Sequence, residues 1–192
     1  MIQAPSIARR CAAIAAVSFV AIGVFSLPAS ASIVDDGEWY ISTYGIDDFH
    51  DQGIDGSGVT IAVFDDAINT GVPALQDANV KVMPDSLCAD SDGNLQPVNT
   101  DDLGLASHGT NNVLKISGTG KGYSGQDGIT GVAPGATVMF YGLGMPIEDP
   151  RFAPGDGAVT YVDAVMPPAI ADAVDRGARI LSFSSTLRGS QQ

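Results

Sequence analysis

Short apolar strand candidates alternate with helix candidates along this chain, and that alternation limits the fold more than any other feature of the sequence. The strand candidates are runs rich in β-branched and aromatic residues, at 59–64, 80–83, 138–143 and 179–183. Helices are expected from His108 to about Ser117 and from Pro167 to Arg176. A glycine-rich loop is expected over 118–128. Strands that alternate with helices predict an α/β fold, a doubly wound and mainly parallel sheet with helices on both faces.

The first 31 residues have the composition of a signal peptide. Two arginines precede an apolar run from Cys11 to Leu27, and Ala29-x-Ala31 supplies the small residues that a signal peptidase requires. Cleavage between Ala31 and Ser32 would release a secreted, extracellular protein. The alternative is an uncleaved membrane anchor, because a span needs at least about 17 apolar residues and this run is near that limit.

The sequence after the signal peptide divides into an N-terminal lead-in and a single domain. The lead-in, residues 32–50, is acidic and aromatic, and its rings are expected to pack on the domain of residues 51–192. No membrane span is expected in this mature part. Cys88 would be its single cysteine, either free or paired with a cysteine outside this sequence.

The chain is acidic, with 22 acidic against 9 basic residues and a formal net charge of −13. Such a surface argues against nucleic acid or an anionic membrane as a partner. Acidic loops can hold calcium, and Asp90 and Asp92 have part of the spacing of a calcium loop, although the distal glutamate of that pattern is missing. The sequence therefore leaves two interpretations of this segment, a structural calcium site and an ordinary turn.

Two residues are candidates for catalysis. Asp65 follows the first strand candidate, at the edge of an open α/β sheet where catalytic groups gather, although Asp65 and Asp66 could equally form a cap or a turn. His108 opens a helix candidate, where the helix N-terminus would disfavour its charged form, so it needs a partner carboxylate to act as a base. A structural role is the alternative for His108, and His50 is interpreted as a surface residue.

Four segments, taken in order, resemble the subtilisin-like serine proteases, the subtilases. They are the aspartate segment 56–65, the histidine segment 107–110, the loop 131–136 and the helix–strand segment 173–182. The resemblance implies the N-terminal part of a subtilisin-like catalytic domain, with the sheet truncated at its C-terminal side. It also implies a secreted endopeptidase that hydrolyses polypeptide substrates through an Asp-His-Ser triad and requires no cofactor for catalysis.

The same resemblance assigns roles to individual residues. His108 would take the proton of a serine hydroxyl and return it to the leaving amine, while Asp65 would fix the imidazole tautomer. The segment from Gly155 to Thr160 would be an edge strand that pairs with the substrate backbone. Three residues would wall the primary specificity pocket: Ser182, Phe183 and Ser184.

The sequence also departs from the family pattern. Asp65-Asp66-Ala67 stands where Asp-Thr-Gly is usual, and Asn111-Asn112 follows the His-Gly-Thr motif where small apolar residues are usual. No Gly-Thr-Ser nucleophile motif occurs in the chain. We therefore expect a fragment that carries the aspartate and the histidine without the serine, and that is inactive alone.

Two other functions are compatible with parts of this pattern. A non-catalytic subtilase-like module that binds protein would explain the departures at Asp66, Ala67 and Asn111. An unrelated dinucleotide-binding domain would need a glycine fingerprint after the first strand, and Asp65-Asp66-Ala67 is not one.

Overall fold

The computed structural model describes residues 37–84, 87, 92, 94–143 and 157–184, the last stretch with side chains from Val165 onward. All of them belong to the second of the chain's two units, residues 32–192. The helices are α1 Trp39–Thr43, α2 Ile46–Asp51, α3 Pro73–Gln76, α4 Leu103–Ser117 and α5 Gly157–Asp175. The strands are β1 Thr60–Asp65, β2 Val80–Val82, β3 Thr119–Lys121, β4 Asp127–Thr130, β5 Thr137–Gly142 and β6 Ile180–Phe183.

Four of these strands form a parallel sheet in the order β2-β5-β1-β6. The central strand β1 pairs with β5 from Thr60 opposite Thr137 to Asp65 opposite Gly142. All but the first residue of β1 and of β5 are buried, because a parallel sheet is covered on both faces and its strands are continuously apolar. The four strands expected from the sequence are confirmed, with bounds that differ by at most one residue.

Helices cover both faces of this sheet. On one face, α3 and α4 bury Ile61, Val63 and Phe140 together with Val113 of α4. On the other face, α5 places Ala169 and Ala173 against the cluster that contains Phe64 and Tyr141. Successive residues of a strand point to opposite faces, so alternate residues of β1 contribute to the two clusters. The predicted doubly wound α/β class is confirmed.

A stack of three aromatic rings crosses the sheet on the α5 face. Phe64 stacks on Tyr141 at 4.8 Å between ring centroids and on Phe183 at 4.6 Å. The Tyr141 hydroxyl donates to Asp172 Oδ2 of α5 at 2.8 Å, and Arg176 Nε donates to the same oxygen at 2.7 Å. Burial and the hydrogen bond to Asp172 raise the pKa of Tyr141 to about 12, so the phenol stays protonated and joins β5 to α5.

The expected starts of both helices were wrong, whereas their ends, at Ser117 and Asp175, agree with the expectation to within one residue. Helix α4 begins at Leu103, before His108, because the Asp102 carboxylate accepts from the Gly104 amide at 2.8 Å and caps it there. Helix α5 contains Pro167 and Pro168 in its interior. The apolar residues beside these prolines pack on the sheet, and this packing outweighs the poor helix propensity of proline.

Two further expectations about local structure were wrong. The segment 118–128 is not only a loop, because β3 pairs with β4 as an antiparallel ribbon there. The edge strand expected between Gly155 and Thr160 is replaced by helix from Gly157 onward. Gly155 itself lies outside the described residues, as do the signal-peptide segment, Cys88 and Asp90.

The lead-in packs on the domain less than the sequence suggested. Trp39, Tyr44 and Phe49 are each more than half exposed. Tyr40 is better attached, since its hydroxyl donates to the Thr130 carbonyl at 3.3 Å. In the part of the chain that the structure describes, no helix has the length and apolar character of a membrane span.

Candidate active site

Asp65 is the last residue of β1 and is fully buried. The segment that follows it is tied to the segment that leads into α4. Ile68 forms a parallel bridge with Asn99, in which the Ile68 amide donates to Val98 O at 2.8 Å and the Thr100 amide donates to Ile68 O at 2.9 Å. The exit of β1 and the start of α4 are therefore held side by side.

Gly109 and Thr110 bring α4 close to the exit of β1. A Cβ atom at Gly109 would overlap the Ala67 carbonyl oxygen and lie 2.9 Å from Phe140 Cζ, so only glycine permits this approach. The buried Thr110 hydroxyl accepts from the Asn69 amide at 2.8 Å and donates to Ala106 O at 2.5 Å. These two residues fix how closely α4, the helix that carries His108, approaches β1 and how it is rotated about its own axis.

The contact that results joins His108 Nδ1 to Asp65 Oδ1 at 2.6 Å. An ionised carboxylate only accepts hydrogen bonds, so Nδ1 carries the proton and Nε2 of the neutral ring is left as the basic nitrogen. The His108 side chain is 53% exposed while that of Asp65 is 0% exposed. The base therefore faces solvent while its partner is shielded from it.

Two further donors hold the Asp65 carboxylate. The Asp66 amide donates to Oδ1 at 2.8 Å, and Asn112 Nδ2 donates to Oδ2 at 2.8 Å. Each oxygen of the buried charge thus has a donor, which a carboxylate removed from water requires.

The charges of the site shift two pKa values upward. The hydrogen bond to Asp65, followed by the charges of Asp65 and Asp66, raises the pKa of His108 and outweighs its partial burial. Burial and the neighbouring Asp65 charge raise the pKa of Asp66. A raised pKa makes His108 a stronger base, and Asp65 favours the imidazolium that forms when it accepts a proton.

Replacing Asp65 by asparagine (D65N) should lower the pKa of His108 toward its ordinary value of about 6.5. In the native protein the ion pair between His108 and Asp65 stabilises the fold fully at a pH below the pKa that His108 has in the unfolded chain. That stability is lost as the pH rises through the raised folded pKa. An NMR titration of the His108 Cε1 proton measures the change. D175N, on the opposite face of the sheet, serves as the control, and an unchanged His108 pKa in D65N would contradict the expectation.

Replacing Thr110 by valine keeps the shape of the side chain and removes the hydroxyl. The Asn69 amide then loses its acceptor, so the free energy of unfolding should fall by about 1–3 kcal/mol. Urea unfolding measures this loss. Thr110→Ser retains the hydroxyl and should be less destabilising, and a loss as large in the serine variant as in the valine variant would contradict the role of the hydroxyl.

One group among the described residues could hold a metal ion. Asp65, Asp66 and His108 offer ligand atoms that lie within 4.8 Å of one another. The hydrogen bond between His108 Nδ1 and Asp65 Oδ1 accounts for the closeness of two of these three residues. Asp90 lies outside the described residues and Asp92 is exposed in a turn, so calcium at these two residues stays a prediction.

The three residues predicted to wall the specificity pocket lie on two faces of the sheet. Ser182 pairs with Val63 in the register of β1 and β6, and both belong to the face that α4 covers. Phe183 stacks on Phe64 and so lies on the α5 face. The exposed Ser184 follows the end of β6, and by alternation it returns toward the face of Asp65.

Asn112 is the site residue whose role the sequence interpretation missed. It appeared there only as a departure from the apolar residues that are usual after the His-Gly-Thr motif. Its spacing contained the signal, because residues four apart on a helix share a face and Asn112 follows His108 by four.

Comparison with known proteins agrees with the motif pattern. The family model described as the subtilase family matches residues 56–191. No curated protein matches the chain.

Three solved structures illustrate the structural similarity. The self-cleaved protease domain of PatA has 18% identity and a TM-score of 0.42, over 72% of this chain and 43% of that one. The PatG macrocyclase in complex with peptide has 16% identity and a TM-score of 0.48, over 76% of this chain and 48% of that one. The Patellamide maturation protease PatG has 17% identity and a TM-score of 0.46, over 72% of this chain and 50% of that one.

The chain thus spans about half the length of these similar structures. The family match covers most of the sequence, including both Asp65 and His108. The chain belongs to the subtilase family of serine proteases.

Proposed function

We propose that this chain is the part of a secreted serine endopeptidase that carries the catalytic aspartate and histidine. One observation carries the proposal, the 2.6 Å contact between His108 Nδ1 and Asp65 Oδ1. It pairs a buried carboxylate with a histidine that is half exposed, the arrangement that a general base of acyl transfer needs. The Gly-Thr-Ser motif is absent from these 192 residues, so a further segment of the protein would supply the nucleophile.

The proposed reaction is the hydrolysis of a peptide bond in a polypeptide substrate. His108 Nε2 takes the proton of the serine hydroxyl as its oxygen attacks the carbonyl carbon. It returns that proton to the nitrogen of the leaving amine, and water then hydrolyses the acyl-enzyme by the same steps. Asp65 holds Nδ1–H and stabilises the imidazolium throughout. No cofactor takes part in these steps.

The gene itself provides the first test of this proposal. The nucleotide sequence beyond codon 192 should encode a Gly-Thr-Ser motif in one reading frame. A stop codon with no such motif downstream would count against a protease and favour a non-catalytic module that binds protein.

Labelling of the full-length product with a fluorophosphonate provides the second test. This reagent phosphonylates a serine hydroxyl only when a neighbouring base has activated it. The product should be labelled, His108→Ala should abolish the labelling, and His50→Ala should not affect it. Failure of the unmodified product to label would support the binding module.

We propose that residues 1–31 direct secretion. The small residues Ala29 and Ala31 and the apolar run before them support this proposal. N-terminal sequencing of the exported protein should begin at Ser32. A protein that retains Met1 and stays with the membrane fraction would instead support an uncleaved anchor.

A further inference from the structure

Asn112 lies on α4 one turn after His108 and reaches the same carboxylate. Its Nδ2 donates to Asp65 Oδ2 at 2.8 Å, while His108 Nδ1 contacts Oδ1 at 2.6 Å. We infer that Asn112 is a positioning residue, which holds the Asp65 carboxylate in the orientation that keeps the His108 proton on Nδ1. This inference rests on the proposed function and adds a residue to it.

The carboxylate needs such a restraint because its last torsion is soft. Rotation about the bond between Cβ and Cγ of aspartate is broad and roughly two-fold, so the backbone alone does not fix the two oxygens. The Asp66 amide and His108 both bind Oδ1. A donor at Oδ2 on the opposite side of the group completes the restraint, and Asn112 is placed there.

The orientation of the Asn112 amide follows from the chemistry of its partner. A carboxylate has no proton to donate, so the amide nitrogen rather than the oxygen must face Asp65 Oδ2. The 3.4 Å separation between Asn112 Nδ2 and His108 Nδ1 has the same origin. Both nitrogens are donors and converge on one acceptor group.

The neighbouring residue shows that asparagine at 112 is not simply a helix-surface residue. Asn111 is exposed, whereas Asn112 is partly buried and bonds to a fully buried charge. Asparagine in a helix interior is mildly unfavourable, because it competes with the backbone for hydrogen bonds. The contact with Asp65 offsets that cost at 112.

The consequence concerns the tautomer of His108. With Asp65 held, the neutral ring carries its proton on Nδ1, and Nε2 is free to accept the serine proton. Without Asn112 the carboxylate can turn, and the ring then populates both tautomers. The tautomer with a proton on Nε2 cannot act as the base.

The test is ¹⁵N NMR of the 192-residue chain labelled at its histidines, at a pH above the titration of His108. The chain has two histidines, and His50→Gln assigns their signals. In the unmodified chain, His108 Nδ1 should show the shift of a protonated nitrogen and Nε2 that of a bare one. In Asn112→Leu both shifts should move toward an average, and in the control Asn111→Leu both should stay unchanged.

Each outcome decides between the two proposals. If Asn112→Leu is folded and keeps the shifts of the unmodified chain, Asn112 does not position the pair of Asp65 and His108 (the dyad), although the contact between the two residues stands. If the unmodified chain already shows averaged shifts, both the dyad and the role of Asn112 are wrong. Asn112→Ser, whose hydroxyl is too short to reach Asp65, gives the same test if the leucine variant fails to fold.

A product that carries the nucleophilic serine allows a kinetic test as well. Misplacing a catalytic group by about 1 Å costs up to about 10²-fold in rate. Asn112→Leu should therefore lower kcat by about 10- to 100-fold, within that bound, and leave KM unchanged. A rise in KM with kcat unchanged would instead place Asn112 in substrate binding and overturn the inference.

Discussion

Replacing His108 by alanine in a product that carries the nucleophilic serine is expected to lower kcat by about 10⁶-fold, the loss that removal of the histidine causes in subtilisin. Without the imidazole the site loses its base, because Asp65 is buried and its two oxygens still accept from the Asp66 amide and from Asn112 Nδ2. Steady-state hydrolysis of a chromogenic peptide measures the loss.

Two matched variants make that result specific. His50 contacts the Val132 carbonyl, away from the dyad, so His50→Ala should keep kcat within a factor of about two, as substitutions distant from the chemistry usually do. D65N should lower kcat by about 10⁴-fold, because an amide in place of the carboxylate favours the wrong tautomer. If the His108→Ala product kept a kcat close to that of the unmodified product, His108 would be excluded as the base.

Replacing Gly109 by alanine is expected to lower the free energy of unfolding by about 1–3 kcal/mol, the usual cost of an overpacked interior. The new methyl would overlap the Ala67 carbonyl oxygen and press on the Phe140 ring. Backbone cannot move aside as a flexible side chain can, so α4 must shift away from β1. The shift would also move His108, with a cost of up to about 10²-fold in kcat.

Gly104→Ala is the matched control, since Gly104 lies in the same helix and its Cβ would meet only the Asp102 carboxylate, at 3.1 Å. Alanine is the better helix former by about 1 kcal/mol, so this variant should be neutral or stabilising. The difference between the two urea unfolding curves therefore isolates the contact at 109. Equal stabilities would show that α4 does not depend on close approach to Ala67.

The strands and the two residues of the dyad could be predicted from the sequence. The run that ends at Asp65 is continuously apolar because both faces of the sheet are covered, and such a run is visible in the sequence itself. His108 and Gly109 stand together in a short motif. The approach of these residues to Asp65 follows from the topology, because Asp65 ends the central strand and α4 packs on that strand.

The helix starts and the second donor to Asp65 could not be predicted in the same way. The start of α4 depends on the Asp102 cap, and several aspartates in that polar stretch could have served. The interior position of Pro167 depends on tertiary packing, which local propensity does not contain. The contact of Asn112 requires the rotation of α4 about its axis, which Gly109 and Thr110 set in the folded protein.

The bridge between Ile68 and Asn99 has a consequence for how this protein can vary. The described residues on either side of the segment between β2 and this bridge are held by backbone hydrogen bonds, with the Met83 amide donating to Phe140 O at 2.8 Å and the Ile68 amide donating to Val98 O at 2.8 Å. Doubling the length of a flexible loop costs only about 0.6 kcal/mol in closure entropy. We therefore expect insertions and deletions between Met83 and Val98 to have little effect on the contact of Asp65 with His108.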